Sequence, residues 1–168
     1  MASLSYESTA VPVERSKEAI RQLLIKFGAR GVQFTEEFNT GQINVRFAKE
    51  VNVNLRTVSI TMQVPESPQP KKRRKGTWRG GRFIPSRGDE ERRRQMERAT
   101  YRALHYWLKS QFEAVQFGLL TFEDVFLSHF EWILDGRRTT VGAMVLPHLS
   151  NGSSFLPAPR DENVLEAG

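Results

Sequence analysis

The chain has 168 residues, of which 39% are hydrophobic and 26% are charged, enough apolar material for one soluble domain with a buried core. It contains no cysteine, which excludes disulfides, thiol nucleophiles and cysteine-ligated metal sites. The net charge is +6, but seven of the 25 lysines and arginines lie within residues 71–82, where there is no acid, and the other 18 are nearly balanced by 19 acidic residues. A positive field confined to one segment attracts polyanions to one place.

Two further absences bear on where the protein works. No stretch approaches the roughly 20 apolar residues needed to cross a bilayer. The first residues lack the cationic start and apolar run of a secretory signal. We therefore expect a soluble cytoplasmic protein without a membrane partner. In a eukaryote the expectation becomes nuclear, since PKKRRK at residues 70–75 resembles a nuclear import signal.

The chain opens with a segment that predicts a flexible arm followed by one helix. Residues 1–14 show no apolar periodicity, so we predict no regular structure there. Ser16 is a candidate cap for a helix over residues 17–27, where apolar side chains recur at helical spacing. Gly28 is suited to end that helix, because glycine tolerates the left-handed conformation common at this position.

Alternating hydrophobic residues next predict an antiparallel meander of three strands with one apolar face. Residues 39–41, Asn-Thr-Gly, have hairpin chemistry, because asparagine and glycine tolerate a positive φ. The alternation changes parity between residues 51–55 and residues 58–64, which requires a turn or a bulge near residues 54–57. The predicted strands cover about residues 32–38, 43–47 and 57–64.

Residues 65–88, called the basic segment below, separate the sheet from the longest helix. Prolines, glycines and cations dominate this segment without periodicity, so we predict a disordered basic loop. Asp89 then caps a helix over about residues 90–117, which Gly118 ends. The apolar side of this helix should cover the apolar face of the sheet. That side consists of Met96, Ala99, Ala103, Leu104, Trp107, Ala114 and Val115.

Shorter elements follow the long helix. Thr121 and Asp124 form a capping box in front of a short helix that begins near Phe122. Residues 15–149 are thus predicted to be a single α+β domain, a three-stranded antiparallel sheet with the N-terminal helix and the long helix packed on one face. The remaining predictions are a tight turn at 134–139, a helical segment at 140–149 and a flexible tail at 150–168.

The basic segment carries the strongest functional signal. Lysine and arginine neutralise phosphates, and aromatic side chains among them can stack on unpaired bases. Trp78 and Phe83 are the stacking candidates, and the stretch WRGGR at residues 78–82 resembles one unit of the arginine–glycine-rich segments of RNA-binding proteins. A solvated linker and an import signal are the alternatives for the same cations. The candidate binding residues are Lys71, Lys72, Arg73, Arg74, Lys75, Trp78, Arg79, Arg82, Phe83 and Arg87.

A second basic feature, called the arginine row below, lies on the long helix. Arg94, Arg98 and Arg102 recur every four residues, so they share one side of the helix. Like charges at this spacing disfavour an isolated helix, and a bound polyanion would relieve their repulsion. The alternative is a solvated face that neighbouring glutamates, including Glu91, neutralise through local salt bridges.

Patterns for catalysis and metal binding are weak. The three histidines lack the spacing of metal ligands, and there is no phosphate-binding or nucleophile motif. His129 is predicted to be a partly buried helix residue. Glu36 and Glu37 could hold Mg²⁺ for a nuclease only with a third carboxylate, from Glu123 or Asp124. We therefore expect no enzyme and no cofactor, with a metal-dependent nuclease as the third functional hypothesis.

Aromatic residues are concentrated between Tyr106 and Trp132. Helical spacing assigns most of them to the core. The number of phenylalanines over residues 112–130 nevertheless exceeds what one short helix can bury. The second functional hypothesis is therefore a protein-interaction surface over residues 112–132, used for self-association or for binding and inhibiting a host protein.

Two short motifs follow the long helix: G-L-x-T-F-E-x-x-F-L over residues 118–127 and L-D-G-R over residues 134–137. With the Trp- and Leu-rich helix before them, they resemble a family of small proteins of bacteriophages and prokaryotic mobile elements, loosely over residues 12–149. The resemblance implies a viral or mobile-element setting. Three strands followed by a long helix are also similar in topology to single-strand annealing proteins of the phage recombinase group, which bind single strands in a basic groove and form rings.

The first functional hypothesis combines the two basic features. We expect a nucleic-acid-binding accessory protein that contacts the phosphates of DNA or RNA through the basic segment and the arginine row. Because phosphate contacts carry no sequence information, its binding should be sensitive to salt and tolerant of sequence.

Overall fold

The computed structural model of the chain describes residues 6–65, 77–79, 82–84 and 87–150. For residues 77–79, 82–84 and 87 it describes the backbone alone. The five consecutive cations at residues 71–75 and the predicted tail beyond Ser150 therefore lie outside the described residues.

The first helix, α1, is Val13–Lys26 and begins before the predicted start. Pro12 occupies the N-cap position, so Ser16 is not the cap but lies inside the helix, fully buried. A proline suits this place, because the amides at a helix N-terminus have no intrahelical partner and its φ is already fixed near the helical value. The helix ends where the sequence predicts, and Gly28 has a φ of +79°.

The three-stranded antiparallel meander is confirmed, with the strands in the order β1-β2-β3. The parity change predicted near residues 54–57 occurs slightly earlier, at Asn52 and Val53. These two residues form the turn between the second and third strands, and both have positive φ, 48° and 70°. A two-residue type I′ hairpin turn requires that conformation at both positions. The strands are β1 Ala29–Glu37, β2 Gln42–Val51 and β3 Asn54–Gln63.

A short hairpin lies within the basic segment, for which the sequence predicts no regular structure. Strand β4 is Thr77–Arg79 and strand β5 is Arg82–Ile84. They pair antiparallel with Trp78 opposite Phe83. Three residues are too few to show an alternation, so the sequence pattern gave no sign of these strands.

The long helix, α2, is Arg87–Gln116 and contains 30 residues. It begins before Asp89, which lies in its first turn instead of capping it. Most of the predicted apolar side is buried or partly buried, but Ala103 is exposed. The centre of the buried side is formed by larger residues that the prediction omitted, among them Tyr101, Leu108 and Phe112.

The core lies between the inner face of the sheet and the helices α1 and α2. This is the predicted arrangement of an α+β domain with its helices on one face of the sheet. Residues two apart on each strand point to the same side, which explains why odd positions of β2 and even positions of β3 are buried. The buried cluster consists of Ile20, Leu24, Ile43, Val45, Phe47, Val58, Ile60, Tyr101, Leu104, Leu108, Phe112, Phe122, Phe126 and Phe130.

The C-terminal part adds short elements to this core. The predicted capping box is confirmed, since Thr121 and Asp124 bond each other in both directions. The predicted tight turn is the Asp135–Gly136 hairpin turn, but the strands on either side of it were not predicted, because EWIL and RRTT do not alternate. The elements are α3 Phe122–Phe126, a 3-10 turn at Leu127–His129, strands β6 Glu131–Leu134 and β7 Arg137–Thr140, and α4 Val141–Ser150.

The last of these helices, α4, matches the predicted segment to within one residue. It has ten residues and none of them is fully buried. No helix in the described ranges is both long and apolar enough to cross a membrane.

Candidate nucleic-acid interface

The arginine row lies along one side of α2. Arg94 is exposed, and Arg98 and Arg102 are partly exposed. Within the described ranges no carboxylate is close enough to any of the three to form an ion pair. Arg98 donates instead to the Gln95 side chain at 3.1 Å, and Arg102 donates to the Tyr106 hydroxyl at 2.8 Å. Both acceptors are neutral, so neither of these hydrogen bonds pairs the positive charge of the row with a carboxylate.

The alternative for this helix face was that nearby acids neutralise the arginines through salt bridges. In the described part of α2, no salt bridge involves a member of the arginine row. Glu91 lies beside Arg94 and Arg98 but forms no ion pair with either among the described residues. Asp89 and Glu97 have other surroundings. Asp89 lies 3.8 Å from Arg92, which is not a member of the row. Glu97 is partly buried, and its pKa is raised first by burial and then by the negative charge of Glu36.

An open cleft borders the N-terminal half of the row. Its volume is about 610 Å³, and the charged side chains that line it are three arginines and one glutamate. Its lining residues are Gly88, Glu91, Arg92, Arg94, Gln95 and Arg98. The cleft therefore carries a net positive charge and is open to solvent.

An aromatic pair continues the row at its C-terminal end. The ring of Tyr106 stacks on the ring of Tyr6, with centroids 5.1 Å apart and an angle of 11° between the planes. The guanidinium carbon of Arg102 lies 4.6 Å from the centre of the Tyr106 ring. Tyr106, which the sequence assigned to the mostly buried aromatic cluster, is 37% exposed, and Tyr6 is 40% exposed.

The tyrosines are the members of this surface that sequence analysis missed. Tyr106 follows Arg102 by four residues, the spacing of the row itself, so helical periodicity was a signal that could have found it. No local signal identifies Tyr6. It reaches α2 because residues 6–12 of the predicted arm lie against this helix, where the Gln95 amide donates to the carbonyls of Glu7 at 2.9 Å and Thr9 at 2.7 Å.

The pKa of His105 is lowered by burial and in part by the positive charges on this helix face. Its pKa is held below the ordinary value by burial first, and then by the charges of Arg102 and Lys109. Two cations next to a histidine disfavour a third positive charge. The imidazole is therefore neutral at physiological pH, and the charge of this face comes from arginine and lysine.

The candidate residues of the basic segment are only partly described. Trp78 and Phe83 occupy paired positions of the β4–β5 hairpin, and Arg79 pairs with Arg82 across its turn. Arg87 is the first residue of α2, so the basic segment leads directly into the helix that carries the arginine row. The other candidates, Lys71, Lys72, Arg73, Arg74 and Lys75, lie outside the described residues.

The carboxylates considered for a nuclease are not brought together. Glu36 lies 2.6 Å from the ammonium group of Lys17 and accepts a hydrogen bond from the Tyr101 hydroxyl at 2.6 Å. Glu123 lies 3.4 Å from Asn52, at the opposite end of the sheet. Nowhere in the described ranges do three or more His, Asp or Glu side chains form a group that could hold a metal ion.

The histidine considered in the same context, His129, is half-buried, as the sequence predicts. It ends the 3-10 turn, and its ring packs edge-on against Trp107 with centroids 5.7 Å apart. Burial lowers its pKa. Glu131, two residues later, forms an ion pair with Arg46 at 2.7 Å.

The Phe-rich region divides into a buried and an exposed part. Phe112, Phe122, Phe126 and Phe130 belong to the core. From Phe117 to the end of α4, the exposed large apolar side chains are mostly aliphatic and lie after α2 and in the C-terminal elements. They are Phe117, Leu119, Leu120, Leu127, Trp132, Ile133, Leu134, Leu146 and Leu149.

Comparison with known proteins adds no further evidence on this surface. No protein-family model, no curated protein and no solved structure matches the chain.

Proposed function

We propose that the protein binds nucleic acid as an accessory factor, through the arginine row and the basic segment, without strong sequence specificity. The observation that carries this proposal is the row itself. Arg94, Arg98 and Arg102 share one side of α2, and none of them has an ion-pair partner among the described residues. The row also follows the most basic part of the chain directly.

The mechanism is neutralisation of backbone phosphates. A guanidinium group that is already paired with a carboxylate must give up that partner before it binds a phosphate. The arginine row has only neutral acceptors, so its binding to phosphate breaks no ion pair. Each phosphate that it neutralises releases condensed counterions, which supplies affinity that falls as the salt concentration rises.

The test is fluorescence anisotropy with labelled DNA and RNA, single-stranded and duplex. The protein should bind well at about 50 mM salt and at least tenfold more weakly at about 300 mM, because counterion release favours binding less at high salt. Replacing Arg94, Arg98 and Arg102 with glutamine should weaken binding to every ligand. Equal affinity at the two salt concentrations would refute the proposal.

A matched control removes the same charge from other elements. Arg15 on α1, Lys26 at the end of α1 and Arg56 on β3 are exposed cations. Their replacement with glutamine lowers the net charge by the same amount as the change in the row. If both triple variants weaken binding equally, the loss of affinity is caused by the lower net charge of the protein, and the row is not a binding site.

The sequence resemblance supports a setting for this activity. The motifs at residues 118–127 and 134–137 resemble proteins of bacteriophages and mobile elements, so we place the activity in the cytoplasm of a prokaryotic or phage-infected cell. The import-like stretch at residues 70–75 would matter only in a eukaryote.

A second candidate function, contact with a protein partner or self-association, is favoured by the exposed apolar residues. Phe117 is 80% exposed and Leu119 is 73% exposed, at the end of α2. Changing Phe117 and Leu119 to serine should leave folding intact, whereas changes at buried Phe122 or Phe126 would unfold the domain. Light scattering after size-exclusion chromatography checks this candidate, which fails if the wild type is a monomer at all concentrations and the serine variant keeps full activity.

A further inference from the structure

We infer that Tyr6 is a stacking platform for an unpaired base of a nucleic acid whose phosphates lie along the arginine row. This inference rests on the proposed function and adds to it the class of ligand, a single strand. The chemical group recognised is an unpaired nucleobase on a phosphate chain, which both DNA and RNA supply.

The contacts of the two tyrosines show which ring is available. Tyr106 already contacts three partners, the rings of Tyr6 and His105 and the guanidinium group of Arg102. Tyr6 has no ring partner other than Tyr106 in the described ranges, and 40% of it is exposed. Among the described residues no other ring packs on Tyr6, so its exposed part is where a further planar group can join the stack.

The position of the stack relative to the row favours a base over other planar groups. Four residues of an α-helix rise about 6 Å, so Arg94, Arg98, Arg102 and Tyr106 follow one another at regular steps. A nucleic-acid strand whose phosphates are bound by the three arginines would therefore reach the tyrosines about 6 Å beyond Arg102. Inside a duplex the bases already stack on one another, so an aromatic platform beside the phosphate chain serves unpaired bases.

Tyr6 is also held in place before any ligand arrives. The side chain of Gln95, between Arg94 and Arg98, donates to the carbonyls of Glu7 and Thr9 at 2.9 and 2.7 Å. The helix that carries the arginines therefore also fixes the backbone beside Tyr6. A preformed platform loses less conformational entropy on binding than a mobile tyrosine would.

The experiment compares Tyr6→Leu and Tyr6→Phe with the wild-type full chain, by anisotropy, on single-stranded DNA, single-stranded RNA and duplex DNA of one sequence. Tyr6→Leu should lower single-strand affinity about 5- to 150-fold, the range found when one stacking side chain is removed. The salt dependence and duplex affinity should stay unchanged. Tyr6→Phe should bind like the wild type, because a phenyl ring also stacks. The two single strands show whether the platform accepts bases of DNA, of RNA or of both.

The results distinguish failure of the Tyr6 platform from failure of the proposed nucleic-acid binding. If the wild type binds but Tyr6→Leu weakens single strands and duplex equally, or weakens neither, the platform is refuted and phosphate binding stands. If the wild type binds none of the ligands, the proposed function fails and the platform fails with it. A thermal melt of each variant shows whether a loss of affinity comes from unfolding.

Discussion

Ser16 is a polar residue in a place that offers it nothing to bond. It is fully buried inside α1, and its hydroxyl has no hydrogen-bond partner among the described residues. A buried polar group without a partner costs about 1–3 kcal/mol, and serine is also a poorer helix former than alanine. We expect Ser16→Ala to raise the free energy of unfolding by about 1 kcal/mol, measured by urea denaturation.

The control for this change is a serine whose hydroxyl is satisfied. Ser110 is exposed on α2 and donates to the Trp107 carbonyl at 2.8 Å. Ser110→Ala should change the free energy of unfolding by less than about 0.5 kcal/mol, as surface substitutions usually do. A loss of stability in Ser16→Ala would mean that the Ser16 hydroxyl forms a bond in solution.

Val53 is a second residue whose side chain does not suit its place in the structure, here because of its backbone conformation. It has a φ of 70°, which is strained for a β-branched side chain, and 91% of it is exposed. Type I′ turns favour Asn-Gly, and here the pair is Asn52 and Val53. Val53→Gly removes the strain without removing packing, so we expect the free energy of unfolding to rise by about 1 kcal/mol.

Leu55 provides the matched test of this explanation. It is also an exposed apolar residue, but it lies in β3 with ordinary strand backbone. Leu55→Gly should lower the free energy of unfolding by about 0.5–1 kcal/mol, the usual cost of glycine in a strand. If both glycine variants are less stable than the wild type, relief of strain at Val53 is the wrong explanation.

At the scale of elements, two glutamates between the sheet and α2 have pKa values shifted in opposite directions. Burial alone would raise the pKa of Glu36, but hydrogen bonds from Lys17 and Tyr101 outweigh burial and hold it below 4.5. The pKa of Glu97 is raised, by burial and by the charge of Glu36. Glu36 therefore stabilises the fold above its unfolded-state pKa and loses this effect as pH falls through its lower folded-state pKa. Glu97 behaves in the opposite way, since its contribution is present at low pH and is lost as pH rises through its raised pKa.

Glutamine substitutions at Glu36 and Glu97 test the two opposite effects of these residues on stability. Glu36→Gln should destabilise the protein at pH 7, and the difference from wild type should shrink as the pH falls below about 4. Glu97→Gln should stabilise it at pH 7 and converge with wild type in acid. Urea denaturation across this pH range gives both profiles, and profiles of the same sign would contradict the assigned pKa directions.

The packing of α4 on the 3-10 turn depends on a glycine. A Cβ atom added at Gly142 would lie 2.8 Å from the backbone carbonyl oxygen of Ser128, closer than van der Waals contact allows. Alanine normally favours a helix by about 1 kcal/mol over glycine, but this clash involves backbone that cannot rotate away. We expect Gly142→Ala to lower the melting temperature and to speed amide exchange in α4, by a loss of about 1–3 kcal/mol.

Gly31 is the control for that substitution. A Cβ atom built there meets nothing within 4 Å. Gly31→Ala should therefore leave the melting temperature unchanged or raise it. If Gly142→Ala is as well tolerated, α4 does not pack on the 3-10 turn in solution.

At the scale of the whole molecule, the parts that sequence predicts are those set by local spacing. Ile43, Val45 and Phe47 alternate because one face of the sheet is buried, and the alternation alone shows it. The arginine row could be predicted in the same way, because arginines four residues apart share one side of a helix. Burial of Tyr101 could not be predicted, because it depends on Glu36, which is 65 positions away. The stacking of Tyr6 on α2 is likewise a long-range contact that leaves no local pattern.

The basic segment and the arginine row should act as one surface, because the last cation of the segment, Arg87, is the first residue of the helix that carries the row. Each phosphate contact contributes about 0.7–0.9 to the slope of log affinity against log salt concentration. Replacing residues 71–75 with serine and replacing the three arginines with glutamine should each reduce this slope. If both parts contact the same ligand at separate phosphates, the combined variant should show the sum of the two reductions. A combined variant that binds like one of the single variants would show that only that part touches the nucleic acid.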